Sequence, residues 1–188
     1  MKRPVPIIST MLVLAAVATM IALGVWQLGR KAEKEALIAR YESALALSSE
    51  APWPTNEEDT ERSLYRVATV DCLRVVDQRT TAGRNPAGVA GLAHTARCAL
   101  AAGGEAEVVI GWSADPRQSA WRGGVVTGVV APGPRLVALN PAAGLEPIAR
   151  PDPRDLPNNH LAYAGQWFLF ALTALVIYIL ALRRRSRR

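Results

Sequence analysis

Two histidines and two cysteines are the only imidazoles and thiols in the 188 residues. His94 stands alone in GLAHTARC, so it reads as a strand or turn residue rather than a catalytic base. Cys72 and Cys98 form no Cys-x-x-Cys and no cysteine–histidine zinc spacing. The chain has no Gly-x-Ser-x-Gly, no Walker A loop and no His-Glu-x-x-His. Gly83, Gly88 and Gly91 do not make a phosphate loop. These absences argue against a hydrolase, an NTPase or a zinc enzyme, and no catalytic residues are expected. There is no internal repeat and no low-complexity tract. The most informative absence is of charge: Pro4 to Gly29 is an uncharged run of 26 residues, and Leu161 to Leu182 is one of 22.

Each run is long enough to cross a hydrocarbon core of about 30 Å, which takes roughly 20 helical residues. Each is mostly Leu, Val, Ile, Ala and aromatic, as membrane transfer requires. Two membrane-spanning helices are expected. For the first, a cleaved signal peptide is the alternative: MKRP is a basic start, and Ala22-Leu23-Gly24 is a small-x-small site. The run is longer than the usual apolar region of such peptides and continues into the helix-forming RKAEKEALIARYESALAL, which favours a retained span.

Charge is divided between the flanks and the centre. Lys2 and Arg3 precede the first run and five arginines from Arg183 onward follow the second, leaving 15 basic and 16 acidic residues between them. The net charge of +6 therefore belongs to the flanks, and no nucleic-acid partner is expected. Basic flanks stay cytoplasmic. Both termini are expected inside a bacterial-type inner membrane, with Arg30 to His160 exported to the periplasm. Arg30, Lys31 and Lys34 oppose this orientation, and the C-terminal arginine run outweighs them. In an oxidising compartment Cys72 and Cys98 can pair, while two buried thiols in strands fit the sequence equally well.

The expected organisation is a cytoplasmic start and first span over 1–29, an amphipathic helix leaving the membrane over 30–51, and an exported β-rich domain with a Pro-rich connector over 52–157. A second span over 158–182 and a basic tail over 183–188 complete it. Lys34, Leu37, Ile38, Tyr41 and Leu45 keep helical intervals until Pro52 and Pro54 stop them. From Leu64 to about Arg150, short β-branched runs alternate with Gly and Pro: LYRVATVDCLRVVD, EAEVVIGW, GGVVTGVVA and RLVALN. TTAGRNPAGVAGL has the composition of a hairpin loop. The fold class is membrane α+β, with two transmembrane helices flanking a mainly antiparallel sheet or small barrel.

The spans carry polar and aromatic residues at one depth. His160, Tyr163, Ala164, Trp167, Ala171, Ala174 and Tyr178 follow one face of the second helix. Gly24, Gln27 and Lys31 share a stripe on the first, and Trp26 and Arg30 lie one turn apart. Trp26 is 19 residues from Ile7, and Tyr163 is 19 from Leu182, so in antiparallel helices both stand about 28 Å from the inner surface. Trp26, Gln27, Arg30, His160, Tyr163, Gln166 and Trp167 then form a collar. An ordinary interfacial aromatic belt explains such a collar. So does a haem site, with a histidine on iron, aromatics beside the macrocycle and Arg30 or Lys31 on the propionates. Ala15, Thr19, Ala171 and Ala174 suit close helix packing, in this chain or against a partner, or are simply common in spans.

LGVWQLGRKAEKEALI resembles the L-G-x-W-Q-x-x-R-x-x-x-K signature of the surfeit-locus (Surf-one type) family of cytochrome c oxidase assembly factors. NNHLAYAGQWFLFALTALVIYI resembles the family's second-span motif, N-H-x-x-Y-A-x-x-W-F with a later Tyr. The layout of span, exported domain, span and basic tail is also similar. Tyr65-Arg66 resembles the Y-R strand start of the family, and Ile110-Gly111-Trp112 stands where it usually has R-G-W. The resemblance implies help in maturing subunit I of a haem–copper oxidase, with haem a handled near the membrane and the haem a synthesis machinery a possible further partner. It implies His160 as iron ligand, and Trp26, Gln27, Arg30, Tyr163 and Trp167 as lining residues or as links between the spans.

Overall fold

The computed structural model describes residues 6–117 and 119–187. Lys2, Arg3 and Arg188 of the basic flanks lie outside the described residues. The chain forms two compact units, one of Met1–Leu37 with Pro157–Arg188, the other of Ile38–Leu156. Helix α1 covers Ile7–Leu45. It is followed by α2 (Glu57–Ser63), strands β1 (Val67–Arg84), β2 (Ala90–Leu100), β3 (Glu105–Ser113), β4 (Gly124–Ala131) and β5 (Arg135–Ala138), and helix α3 (His160–Arg187). The helices α1 and α3 are long and apolar enough to cross a membrane, with mean hydropathy of 2.3 and 2.0 in their most apolar stretches. That fits a membrane protein.

In the first unit the two helices meet along a seam. The more covered positions of α1 include Thr10, Val17, Gly24, Gln27 and Lys31. Those of α3 include His160, Ala164, Trp167, Ala171 and Tyr178. Intervals of three, four and seven are those of left-handed helix pairing. Small residues at the contact let backbones approach, as expected where lipid offers no hydrophobic drive for association. At Gly24 the contact is tightest, because a Cβ there would stand 2.5 Å from the Phe168 ring and force it to shift. Ala171 is buried, as packing requires. Ala15 and Thr19 are instead exposed, and the Thr19 hydroxyl bonds back to the Ala15 carbonyl at 2.9 Å. The helical period, at about 100° per residue, carries both away from the stripe through Thr10, Val17 and Gly24.

The second unit is a closed barrel with strand order β1-β2-β3-β5-β4. Strand β4 returns beside β1 after the β1-β2-β3 meander, which makes a Greek key. The sheet is mixed, which corrects the expected mainly antiparallel arrangement: β3 and β5 run parallel, pairing Glu107 to Arg135 and Val109 to Val137. The reason is geometrical. Directions cannot alternate all the way round a ring of five, so one neighbouring pair must agree. Strand β1 pairs with β4 over Val67–Cys72 and with β2 over Cys72–Arg84. Bulges between Cys72 and Arg74 and between Val75 and Asp77 bend it between the two partners. The hairpin turn is confined to residues 85–89, where the Asn85 side chain accepts from the Ala87 and Val89 N–H groups at 3.1 and 3.0 Å.

Alternate residues fill the barrel. Ala68, Val70 and Cys72 of β1 meet Ala96 and Cys98 of β2, Val108 and Ile110 of β3, Val130 of β4 and Leu136 of β5. Cys72 and Cys98 form a disulfide in this core, with their Cα atoms 5.3 Å apart. It closes a loop over a sequence separation of 26. For a loop of that size chain entropy gives about 3.5 kcal/mol of stabilisation. The Cys72→Ala/Cys98→Ala double variant should therefore lose roughly that amount. The measurement is the urea midpoint for loss of β-sheet circular dichroism in detergent, where an unchanged midpoint would show that the bridge contributes nothing.

Candidate functional site

The first unit brings a histidine to the amide of a glutamine. His160 is the first residue of α3. The Tyr163 N–H donates to the Asn159 carbonyl at 3.2 Å, starting the helix one residue before the imidazole. One turn of seam spacing beyond Gly24 and one before Ala164 place Gln27 and His160 on facing positions. His160 Nδ1 lies 2.8 Å from Gln27 Oε1. A carboxamide oxygen only accepts, so Nδ1 carries the hydrogen and donates it. In the neutral ring the lone pair is then on Nε2. Fixing one ring nitrogen to free the other is how a histidine is prepared for a metal. Two residues before His160, Asn158 Oδ1 is buried and has no hydrogen-bond partner among the described residues.

The remaining collar residues divide by face. Trp167 lies on the seam two turns from His160, with its ring 6.2 Å from Phe170 in an edge-on arrangement. Trp26 and Tyr163 are 56% and 50% exposed and turn off the seam. Gln166 is exposed as well. Arg30 pairs with Glu33, and Lys31 with Glu35 at 2.7 Å. Arg30 and Lys31, the alternative candidates for a propionate, thus each have a carboxylate one turn along the same helix. The structure brings Gln27 and His160 together, keeps Trp167 on the same seam, and arranges Trp26, Arg30 and Tyr163 around the outside. Successive helical residues point about 100° apart, so Trp26 cannot share the direction of Gln27.

Two contacts at this helix pair were not foreseen. Thr10 Oγ1 and Tyr178 Oη are 2.6 Å apart, and Phe168 covers Gly24. The first left a signal: Thr10 and Tyr178 are polar groups inside apolar runs, at nearly equal distance from the Ile7 and Leu182 ends. A hydrogen bond between spans is the natural satisfaction of both. The second left little, because an aromatic beside a glycine is visible only once the helices are paired.

The other histidine lies in the barrel unit. His94 is buried, and its Nε2 is 2.8 Å from Ser113 Oγ. The Ser113 hydroxyl donates to the Asp115 carbonyl at 2.6 Å. Its single hydrogen is thus committed, and His94 Nε2–H must be the donor between them. In this arrangement the imidazole does not draw a proton from the serine, so the pair serves as a tie between β2 and the end of β3. The Arg117 guanidinium beside Asp115 holds that carboxyl below its ordinary range. Among the described residues, no three of His, Cys, Asp and Glu cluster as a metal site.

The model of the SURF1 family, the surfeit-locus family whose motifs the sequence carries, matches residues 14–172. The match includes the Gln27 and His160 pair, Trp167 and the whole barrel. No curated protein matches the chain.

The Gln27–His160 contact has a spectroscopic signature. In ¹⁵N spectra of the full chain recorded under alkaline conditions, where imidazole is neutral, His160 should show a single tautomer with hydrogen on Nδ1 and none on Nε2. Gln27→Leu should release it into a mixture of both tautomers, and an unchanged spectrum would remove Gln27 from this role.

Proposed function

This chain belongs to the SURF1 family, which is associated with cytochrome oxidase assembly, and from that premise we propose that it holds haem a transiently and presents it to nascent oxidase subunit I. The observation that carries the reading is the His160–Gln27 hydrogen bond at 2.8 Å. It leaves Nε2 as a free ligand nitrogen at the end of the helix pair. His160 would be the residue to hold the haem iron, and a single protein ligand suits a carrier that must release its cargo. Trp167 on the seam and the exposed Trp26 and Tyr163 supply aromatic surface around it. Arg30 sits one turn from Trp26, and to meet a propionate it exchanges its exposed Glu33 partner. Surface ion pairs contribute only about 0–1 kcal/mol, so that exchange costs little.

In this reading the chain is a carrier and not an enzyme. Its termini are cytoplasmic and its barrel is exported from a bacterial-type inner membrane. The Cys72–Cys98 disulfide supports an oxidising side for the barrel, and the apolar lengths of α1 and α3 support two spans. The haem a synthesis machinery is the natural donor.

Co-expression with haem a synthesis, followed by purification in mild detergent, tests this directly. The wild type should show a Soret band that His160→Ala abolishes. Gln27→Leu should weaken retention by about ten-fold or more, the usual effect of removing a partner from a metal-binding histidine. A colourless wild type would remove the carrier role. Normal oxidase assembly with His160→Ala, together with its loss on Gly24→Leu, would instead indicate a structural chaperone that stabilises an assembly intermediate without haem.

A further inference from the structure

The barrel wall carries a cavity of about 460 Å³, within the range of small-molecule sites. Its floor follows from the period of the strands. Thr81 and Gly83 of β1, Ala93 and Thr95 of β2, Val109 of β3 and Val137 of β5 line one outward face. All are small, so the wall is hollow where larger side chains would fill it. Above this floor runs the connector from Ile148 to Leu156. It is tied to the end of β1 by the Ala149 N–H donating to the Arg84 carbonyl at 2.8 Å.

The charged lining is uneven. Arg79 pairs with Glu107 at 2.6 Å, which settles both. Arg84, Arg135 and Arg150 also line the cavity, and none has a carboxylate within ion-pair distance among the described residues. Arg84 reaches only the Gly88 carbonyl, at 3.5 Å. Asp152 and Asp155 are on the side of Tyr65, and Asp152 is engaged in capping the Arg154 N–H at 2.8 Å. The backbone bond between Ala149 and Arg84 brings the backbones of Arg84 and Arg150 close together at one end of the cavity.

Tyr65 adds a second kind of observation. It walls the cavity, is 3% exposed and has φ +61, a region that bulky residues rarely adopt. It is held there by its N–H donating to the Val130 carbonyl at 2.7 Å and by the Tyr41 ring at 4.8 Å. Burial, followed by the nearby Tyr41, Asp155 and Asp152, pushes its phenol pKa up, so the group stays an O–H donor. Backbone strain at a cavity wall is characteristic of binding sites.

We propose that this cavity binds a small organic anion, with its carboxylate or phosphate between the Arg84 and Arg150 guanidiniums and its compact apolar body on the Ala93, Val109 and Val137 floor. The lining does not include His160, and the proposal adds a ligand to the barrel, whose role the haem reading leaves open.

The test is calorimetry on the full chain in neutral detergent, with hexanoate and hexyl phosphate as probes and hexanol and inorganic phosphate as controls. At least one hexyl anion should bind, more tightly than either control and more weakly as salt rises. Arg84→Gln/Arg150→Gln should weaken that binding by about ten-fold or more, as expected when charged hydrogen bonds are lost. His160→Ala should leave it unchanged, so failure of the haem reading and of this one are distinguishable. No binding by either anion, equal binding of hexanol, or binding indifferent to the double arginine variant would each overturn the proposal. Hexanoate binding alone assigns the site to carboxylates, and hexyl phosphate binding alone to phosphate esters.

Discussion

A single hydrogen bond, from His160 to Gln27, connects the helix pairing to the chemistry. An imidazole in apolar surroundings needs a partner for its N–H. Here that partner is on the other helix. The bond forms only if the helices come close, and they come close because Gly24 offers no side chain to Phe168 and because Ala164 and Ala171 are small. Packing therefore sets the tautomer, and the tautomer decides which nitrogen is available. The same pairing is satisfied at its far end by Thr10 and Tyr178.

What was legible in the sequence depended on the range of the signal. The two helices were visible because charge is absent over lengths that match a bilayer. The depth of His160, Gln27 and Trp167 followed from a constant rise per residue. Direction around the helix was harder to read, because a stripe drawn on one helix does not say which of its edges meets the other. Tyr163 was grouped with His160 on that stripe, yet the seam takes Ala164 and leaves Tyr163 half exposed. The pairing of Arg30 with Glu33, one turn along the same helix, was not read from the sequence either.

In the barrel, the sequence showed strands but not their order. β2 was not separated from its loop, because GLAHTARC is rich in Ala and short of β-branched residues. β1 looked shorter than its 18 residues because its bulges interrupt the alternation that marks a strand. The disulfide was undecidable from spacing, since a bond requires two Cα atoms at a suitable separation, which only the register of β1 and β2 provides. Parity then explains the parallel pair that composition could not reveal.

The four-residue β5 has a consequence for the order of assembly. Among the described residues it is the last strand and the only one that pairs with both β3 and β4. The β1–β2 hairpin can zip locally, but the ring stays an open sheet with two raw edges until Ala138 has emerged. Long-range closure of this kind is slow and leaves strand edges unprotected meanwhile. A chain that stalls before that point presents a template for intermolecular pairing, so the smallest strand decides when the domain becomes safe from its neighbours.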